Sequence, residues 1–168
     1  ASALFCSDTK DRWVYDKNLD PVTGVPNHRF LTEYKLAVSE ELFKSNQPVY
    51  FLSVQLPNLG ELYQVYGVDQ GDAFLKQMIA LFANVIPSPK FVFRLSENTF
   101  ALMLMNRKQK EVEQLQIKLK QLFEYNPTYF NGVTMQASIK WGISVYPDDA
   151  NELFKLISLS RNRLSSKI

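Results

Sequence analysis

At 168 residues the chain is sized for one domain, long enough to bury a core without disulfides or bound metals. Hydrophobic residues at 46% and charged residues at 21% exclude a disordered or coiled-coil chain. Lys and Arg number 19 against 17 Asp and Glu, and a net charge of +2 argues against a partner made of duplex nucleic acid.

Residues 3–18 mix apolar and charged side chains and predict a lead-in helix or linker over residues 1–19, with the domain itself spanning 20–168. The opening at Ala1, without Met, reads as a cut inside a longer protein. Cys6 is the single cysteine, so no internal disulfide forms, and a reduced cytoplasmic compartment is expected. Asp20 to Asn27 carries two prolines and a glycine and forbids a helix or a central strand. Asn27 is placed to cap one helix whose apolar positions are Phe30, Leu31, Tyr34, Ala37, Val38 and Leu42. His28, the single histidine, has no acidic or cysteine company and reads as a surface or capping residue.

Residues 49–56 are β-rich and mostly apolar, which predicts a strand covered on both faces and stopped by Pro57. A short helix from Asn58 to Tyr66 ends at Gly67, and a longer one begins near Asp69 and ends before Pro87 and Pro89. Residues 91–95 and 99–105 predict two strands joined by a tight turn, Ser96-Glu97-Asn98. Residues 108–125 form an amphipathic helix whose face of Val112, Leu115, Leu119, Leu122 and Phe123 is read as core. Residues 133–146 predict a strand broken or bulged near Gly142. A last helix follows Pro147-Asp148-Asp149 and runs to about Leu164; its basic residues Lys155, Arg161 and Arg163, with Lys167 beyond, read as a solvated face. The order predicts an α+β fold with one mixed sheet, a β-hairpin and flanking helices. No run reaches the roughly 18 apolar residues that cross a bilayer.

Four segments, in order and at the right spacing, resemble the GGDEF domain of diguanylate cyclases. Asp20 to Phe30 is similar to its opening signature, D-x-L-T-G-L-P-N-R-R-x-F in outline. Tyr66-Gly67-Val68-Asp69-Gln70-Gly71-Asp72 is similar to Y-G-H-x-x-G-D. Arg94 to Phe100 stands where the family writes R-Y-G-G-D-E-F, and Trp141 to Pro147 is similar to its late strand. The resemblance implies the ferredoxin-like palm of nucleotide cyclases and polymerases. It also implies bacterial signalling by cyclic di-GMP, which the family makes from two GTP molecules, one on each subunit of a dimer, with Mg²⁺ held by carboxylates.

The residues at the implied site differ from the family pattern. The metal positions fall on Gln55 and Thr99, and the second Asp of the family's D-x-D falls on Pro57. The signature turn reads Ser96, Glu97, Asn98, Thr99, Phe100, so its two glycines and both acids are gone. A base-reading Asn becomes Tyr63, while the partner acid survives as Asp72, which also has a structural reading in the first turn of a helix. The inhibitory product site, R-x-x-D in the family, falls on Pro87-Ser88-Pro89-Lys90, and a phosphate-holding Lys falls near Ser165. The expectation is therefore a catalytically inactive GGDEF domain with no Mg²⁺ cofactor. Its role would be regulatory or dimerising, beside a covalently linked sensor or EAL-type phosphodiesterase domain. In that case the catalysis of the parent protein, and any inner-membrane tether, would belong to other segments. The alternatives are a GTP or cyclic di-GMP sensor without turnover and, with less support, an active cyclase using shifted ligands such as Glu97 and Asp72. Aromatic residues make up 13% of the chain and, with Phe30, Phe74 and Phe100 at apolar family positions, read as retained packing.

Overall fold

The computed structural model describes residues 16–85, 91–125, 128–130, 132–135 and 138–165. The predicted lead-in helix and Cys6 lie largely outside that range, and only a 3-10 turn, Asp16–Asn18, is seen before the domain. Helices α1 (His28–Glu33) and α2 (Lys35–Phe43) follow, then strand β1 (Val49–Gln55). Next come α3 (Leu59–Tyr66), α4 (Val68–Val85), the hairpin β2 (Phe91–Ser96) and β3 (Thr99–Leu104), and α5 (Gln109–Tyr125). A short pair β4 (Thr128–Phe130) and β5 (Val133–Met135) leads to β6 (Lys140–Tyr146) and α6 (Leu153–Asn162).

The main sheet has the order β2-β3-β1-β6. The α+β class is as expected, but the sheet is not mixed: every pairing in it is antiparallel. The hairpin is the reason. It inserts β3 beside β1, so β1 and β2, which run the same way, never touch. β1 is the central strand, and its first six residues are buried because both faces are covered. Tyr50, Leu52 and Val54 point to one face with their cross-strand partners Leu104, Leu102 and Phe100, under α3, α4 and α5. Val49 and Phe51 point to the other, with Phe91, Phe93, Ala101 and Met103, under α1, α2 and α6. The aromatic content is largely this packing. Phe82 meets Phe123 edge-on at 5.5 Å between centroids, and Phe91 stacks on Phe93 at 5.6 Å.

Several predicted boundaries move. The single helix after Asn27 is two, because Tyr34 leaves helical geometry (φ −109°, ψ 25°) and its ring stacks on Phe30. Asn27 does cap α1, its Oδ1 accepting from the Phe30 amide at 3.0 Å. The hairpin turn is two residues, Glu97-Asn98, since Ser96 still pairs with Thr99 after a bulge at Leu95. The pair β4–β5 was not foreseen, and the predicted 133–146 strand is two strands, β5 and β6, that belong to different sheets. Gly142 lies inside an unbroken β6 for a packing reason. A Cβ there would stand 2.1 Å from the carbonyl oxygen of Ser160 in α6. On the same face the Ser53 and Ser160 hydroxyls meet at 2.6 Å, and Ser144 donates to the Leu156 carbonyl.

Candidate functional site

The implied site assembles at the end of β1 where the chain leaves the sheet. Gln55 is the register partner of Thr99, so the two implied metal positions do face each other across β1 and β3. Their donors are an amide and a hydroxyl. Thr99 is fully buried and donates to Asn98 Oδ1 at 3.1 Å. The Leu56 amide donates to the Asn98 carbonyl at 2.9 Å, tying the turn to the strand end ahead of Pro57. Glu97 leans over the first turn of α3, its Oε1 3.7 Å from where a Cβ on Gly60 would sit.

Beside this end, α3 and α4 pack as a pair hinged at Gly67, whose φ of +88° suits glycine. Tyr63 of α3 lies on Gly71 of α4, so closely that a Cβ at Gly71 would come 2.5 Å from the ring. Its hydroxyl donates to Asp72 Oδ1 at 2.6 Å. Burial, then the hydrogen bond and charge of Asp72, push the Tyr63 phenol well above its ordinary value. It therefore stays a neutral donor. The structural reading of Asp72 was a helix-end charge; its observed partner is Tyr63 instead.

Behind the turn stands a pair that the sequence shows only as two motif letters 74 residues apart. Arg94 Nη1 donates to Asp20 Oδ1 at 2.8 Å, and both side chains are nearly buried. Asp20 Oδ2 accepts from the Thr23 amide at 2.8 Å and from its hydroxyl at 2.6 Å. Arg94 also donates to the backbone carbonyls of Ser96 and Glu97, and its own amide donates to the Pro26 carbonyl. The opening loop and the signature turn are thus one hydrogen-bonded unit. A cleft of about 320 Å³ lies on its outer side, between His28, Arg29 and Glu97.

The other predicted positions are dispersed. Residues 87–90, the implied inhibitory site, lie outside the described residues, as does Lys167. Ser165 pairs with Trp141 through two backbone hydrogen bonds of 2.9 and 3.0 Å. His28 opens α1, its ring 6.4 Å from that of Phe154. Arg163 is not a free solvated charge, because it donates to both oxygens of Asp149 and to the Ile143 carbonyl. Lys155 and Arg161 are exposed as expected. Among the described residues no group of three His, Cys, Asp or Glu side chains is arranged to hold a metal ion.

Residues 17–167 match the diguanylate cyclase GGDEF domain family. The chain belongs to that family. As a GGDEF domain it is similar in fold to a sensory box/GGDEF family protein from Caulobacter crescentus, with a TM-score of 0.73 at 23% identity, covering 88% of this chain and 95% of that one. The GGDEF domain of FimX from Pseudomonas aeruginosa gives a TM-score of 0.74 at 17% identity, over 87% of this chain and 90% of that one. The coiled coil and GGDEF domain of DgcB from C. crescentus, solved with c-di-GMP, gives 0.74 at 11%, over 91% and 81%. At these identities the likeness is one of fold.

Among curated sequences, an uncharacterized membrane protein of Staphylococcus aureus is 21% identical over 167 residues, 94% of this chain. This GGDEF domain spans about half the length of such relatives, 47% in that case. No helix among its described residues is long and apolar enough to cross a membrane. GGDEF chemistry depends on a hard divalent cation, which is bound by negative oxygens. The donors that this chain brings to the two metal positions are neutral, and the one carboxylate of the turn, Glu97, lies over α3. The residues present do not fit the cation.

Proposed function

We propose that this GGDEF domain has no cyclase turnover and serves as a regulatory or dimerising module in a cyclic di-GMP signalling protein. Its covalent neighbour in this reading is a sensor domain or an EAL-type phosphodiesterase domain that carries the catalysis. The observation that carries the reading is the Gln55–Thr99 pair. The geometry of the metal positions is kept while both charges are missing. Two hydrogen-bonding side chains cannot neutralise a triphosphate as a dication does. Glu97 adds a negative charge over the first turn of α3, where an incoming phosphate would meet repulsion.

Base reading fails in this view for a different reason. Asp72 is held by Tyr63, whose ring fills the space over Gly71. A guanine would have to displace that hydrogen bond to reach the carboxylate. The staphylococcal relatives, named as membrane proteins, support a parent tethered at the membrane with this domain on the cytoplasmic side.

Incubation of the purified chain with GTP and Mg²⁺ or Mn²⁺, followed by chromatography, is expected to yield no cyclic di-GMP above a no-protein control. Product above that control overturns the reading. Calorimetry with GTP and with cyclic di-GMP is expected to show no micromolar binding. A micromolar heat with either nucleotide would replace the regulatory module by a non-catalytic sensor.

A further inference from the structure

At the opposite end of β1, about 17 Å away for five residues at ~3.3 Å each, the molecule holds a cavity of about 550 Å³. That volume lies within the roughly 300–1,000 Å³ of small-ligand sites. It opens between α5 and the edge formed by β1 and β6, on the face that carries Tyr50, Leu52 and Val54. Its apolar wall is Val112, Ile143 and Val145.

Two polar side chains line it without a protein partner. Tyr50 is 7% exposed and Gln116 is 8% exposed, and among the described residues neither side chain makes a hydrogen bond. Neither the Tyr50 hydroxyl nor the Gln116 amide is sealed from solvent, so both polar ends reach the water that fills the cavity and can bond a guest there. At the rim stand two exposed carboxylates, Glu113 and Asp148. Glu113 accepts a 3.3 Å hydrogen bond from Gln109, which leaves its other oxygen available to the cavity. The Tyr50 phenol is raised by burial first and then by the charges of Asp148 and Glu113, so both carboxylates are felt at its hydroxyl. Gln109, Glu113 and Gln116 form one polar stripe of α5 beside the apolar stripe of Val112, Leu115 and Leu119.

We infer that this cavity is a binding site for a small organic cation, an amine with an apolar body. The ammonium would lie between Glu113 and Asp148, within reach of the Tyr50 hydroxyl and the Gln116 amide oxygen, and the hydrocarbon would cover Val112, Ile143 and Val145. Two carboxylates exclude an anion, and the apolar wall disfavours a hydrated metal ion. The site is separate from the signature turn and does not depend on whether the domain turns over GTP.

The test is calorimetry on the 168-residue chain with hexylamine and 1,6-diaminohexane as probes, and hexanol and hexanoate as matched controls. Saturable binding of an amine, at least roughly tenfold tighter than hexanol, is expected from charge-assisted hydrogen bonds. Hexanoate is expected to bind more weakly still. The double variant Glu113→Gln, Asp148→Asn should weaken the amine roughly tenfold or more, and Tyr50→Phe roughly threefold or more, by the same principle. Both variants remove polarity at a cavity wall rather than core volume, and their thermal melts check that they remain folded. Failure of both amines to bind at 10-millimolar concentration overturns the site. So does hexanol binding as tightly as hexylamine, or variants that bind hexylamine like the parent chain.

Discussion

The two ends of β1 are made of the same strand and treat polar groups in opposite ways. At the Gln55 end three polar pairs are closed within the protein. Tyr63 holds Asp72, Thr99 holds Asn98, and Arg94 holds Asp20. At the Tyr50 end a hydroxyl and an amide have no protein partner and face the cavity. Polar groups paired within the protein consolidate a fold, while unpaired ones that face a cavity are still free to bond a guest. The family's ligand end is therefore the closed end of this molecule, and the end that the family signature does not mention is the open one.

The largest test breaks the closed end from behind. Arg94→Ala leaves Asp20 buried with only its Thr23 bonds, and a loss of about 3 kcal/mol is expected in urea denaturation. Tyr50→Phe at the open end should cost well under about 1 kcal/mol, because no protein hydrogen bond is lost. Equal costs would erase the contrast. A second test restores charge. Gln55→Asp with Thr99→Glu sets two carboxylates opposite each other, one of them at a buried position, and should destabilise the chain by about 2 to 3 kcal/mol in chelator. Millimolar MgCl₂ should recover the melting temperature of that double variant while leaving the parent chain unmoved. No recovery would mean that more than charge separates this end from a cation site.

Smaller still is Tyr63→Phe, which removes one charge-assisted hydrogen bond from a partly exposed acid. About 1 kcal/mol or less is expected by thermal denaturation. The smallest effect belongs to Asp149, near the open end. The Arg163 hydrogen bonds hold its carboxyl below the usual carboxylate range. With the folded value depressed, the pair's contribution is complete above the unfolded carboxyl's value of about 4 and fades as pH falls through the folded value. Asp149→Asn should therefore lower stability at pH 7, seen as a lower melting temperature, by less than about 1 kcal/mol of unfolding free energy for so exposed a pair. The gap between variant and parent should close toward pH 3.

Most of the scaffold was legible because its signals are local. The Asn27 cap, the uninterrupted apolar run of β1, the Gly67 break and the stripe of α5 each lie within one or two turns of chain. The losses came where a distant contact decides the outcome. Tyr34 ends α1 although the apolar spacing continues through it. Gly142 looked like a strand breaker because its reason, the backbone of α6, lies 18 residues on. At the site, alignment alone named Gln55 and Thr99 as the metal positions, but their register across β1 and β3 needed the fold. The Tyr63–Asp72 bond did not, since it needs two helices folded back at Gly67. The Tyr50–Gln116 chamber joins residues 66 apart with no motif between them, and no pattern in the chain signals it.

Gly142 has a mechanical consequence. Without a side chain there, the backbone of α6 settles directly onto β6 near Ser160, and the next strand positions, Trp141 and Ile143, are too bulky to take its place. The helix therefore cannot slip along the strand by one residue without lifting away from the sheet. It is a pin, not a bearing. A push on α6 must pass into β6 and, through the Ser53–Ser160 contact, into β1, the strand whose two ends carry the closed and the open site. Hydrogen exchange should show α6 and these two strands opening together.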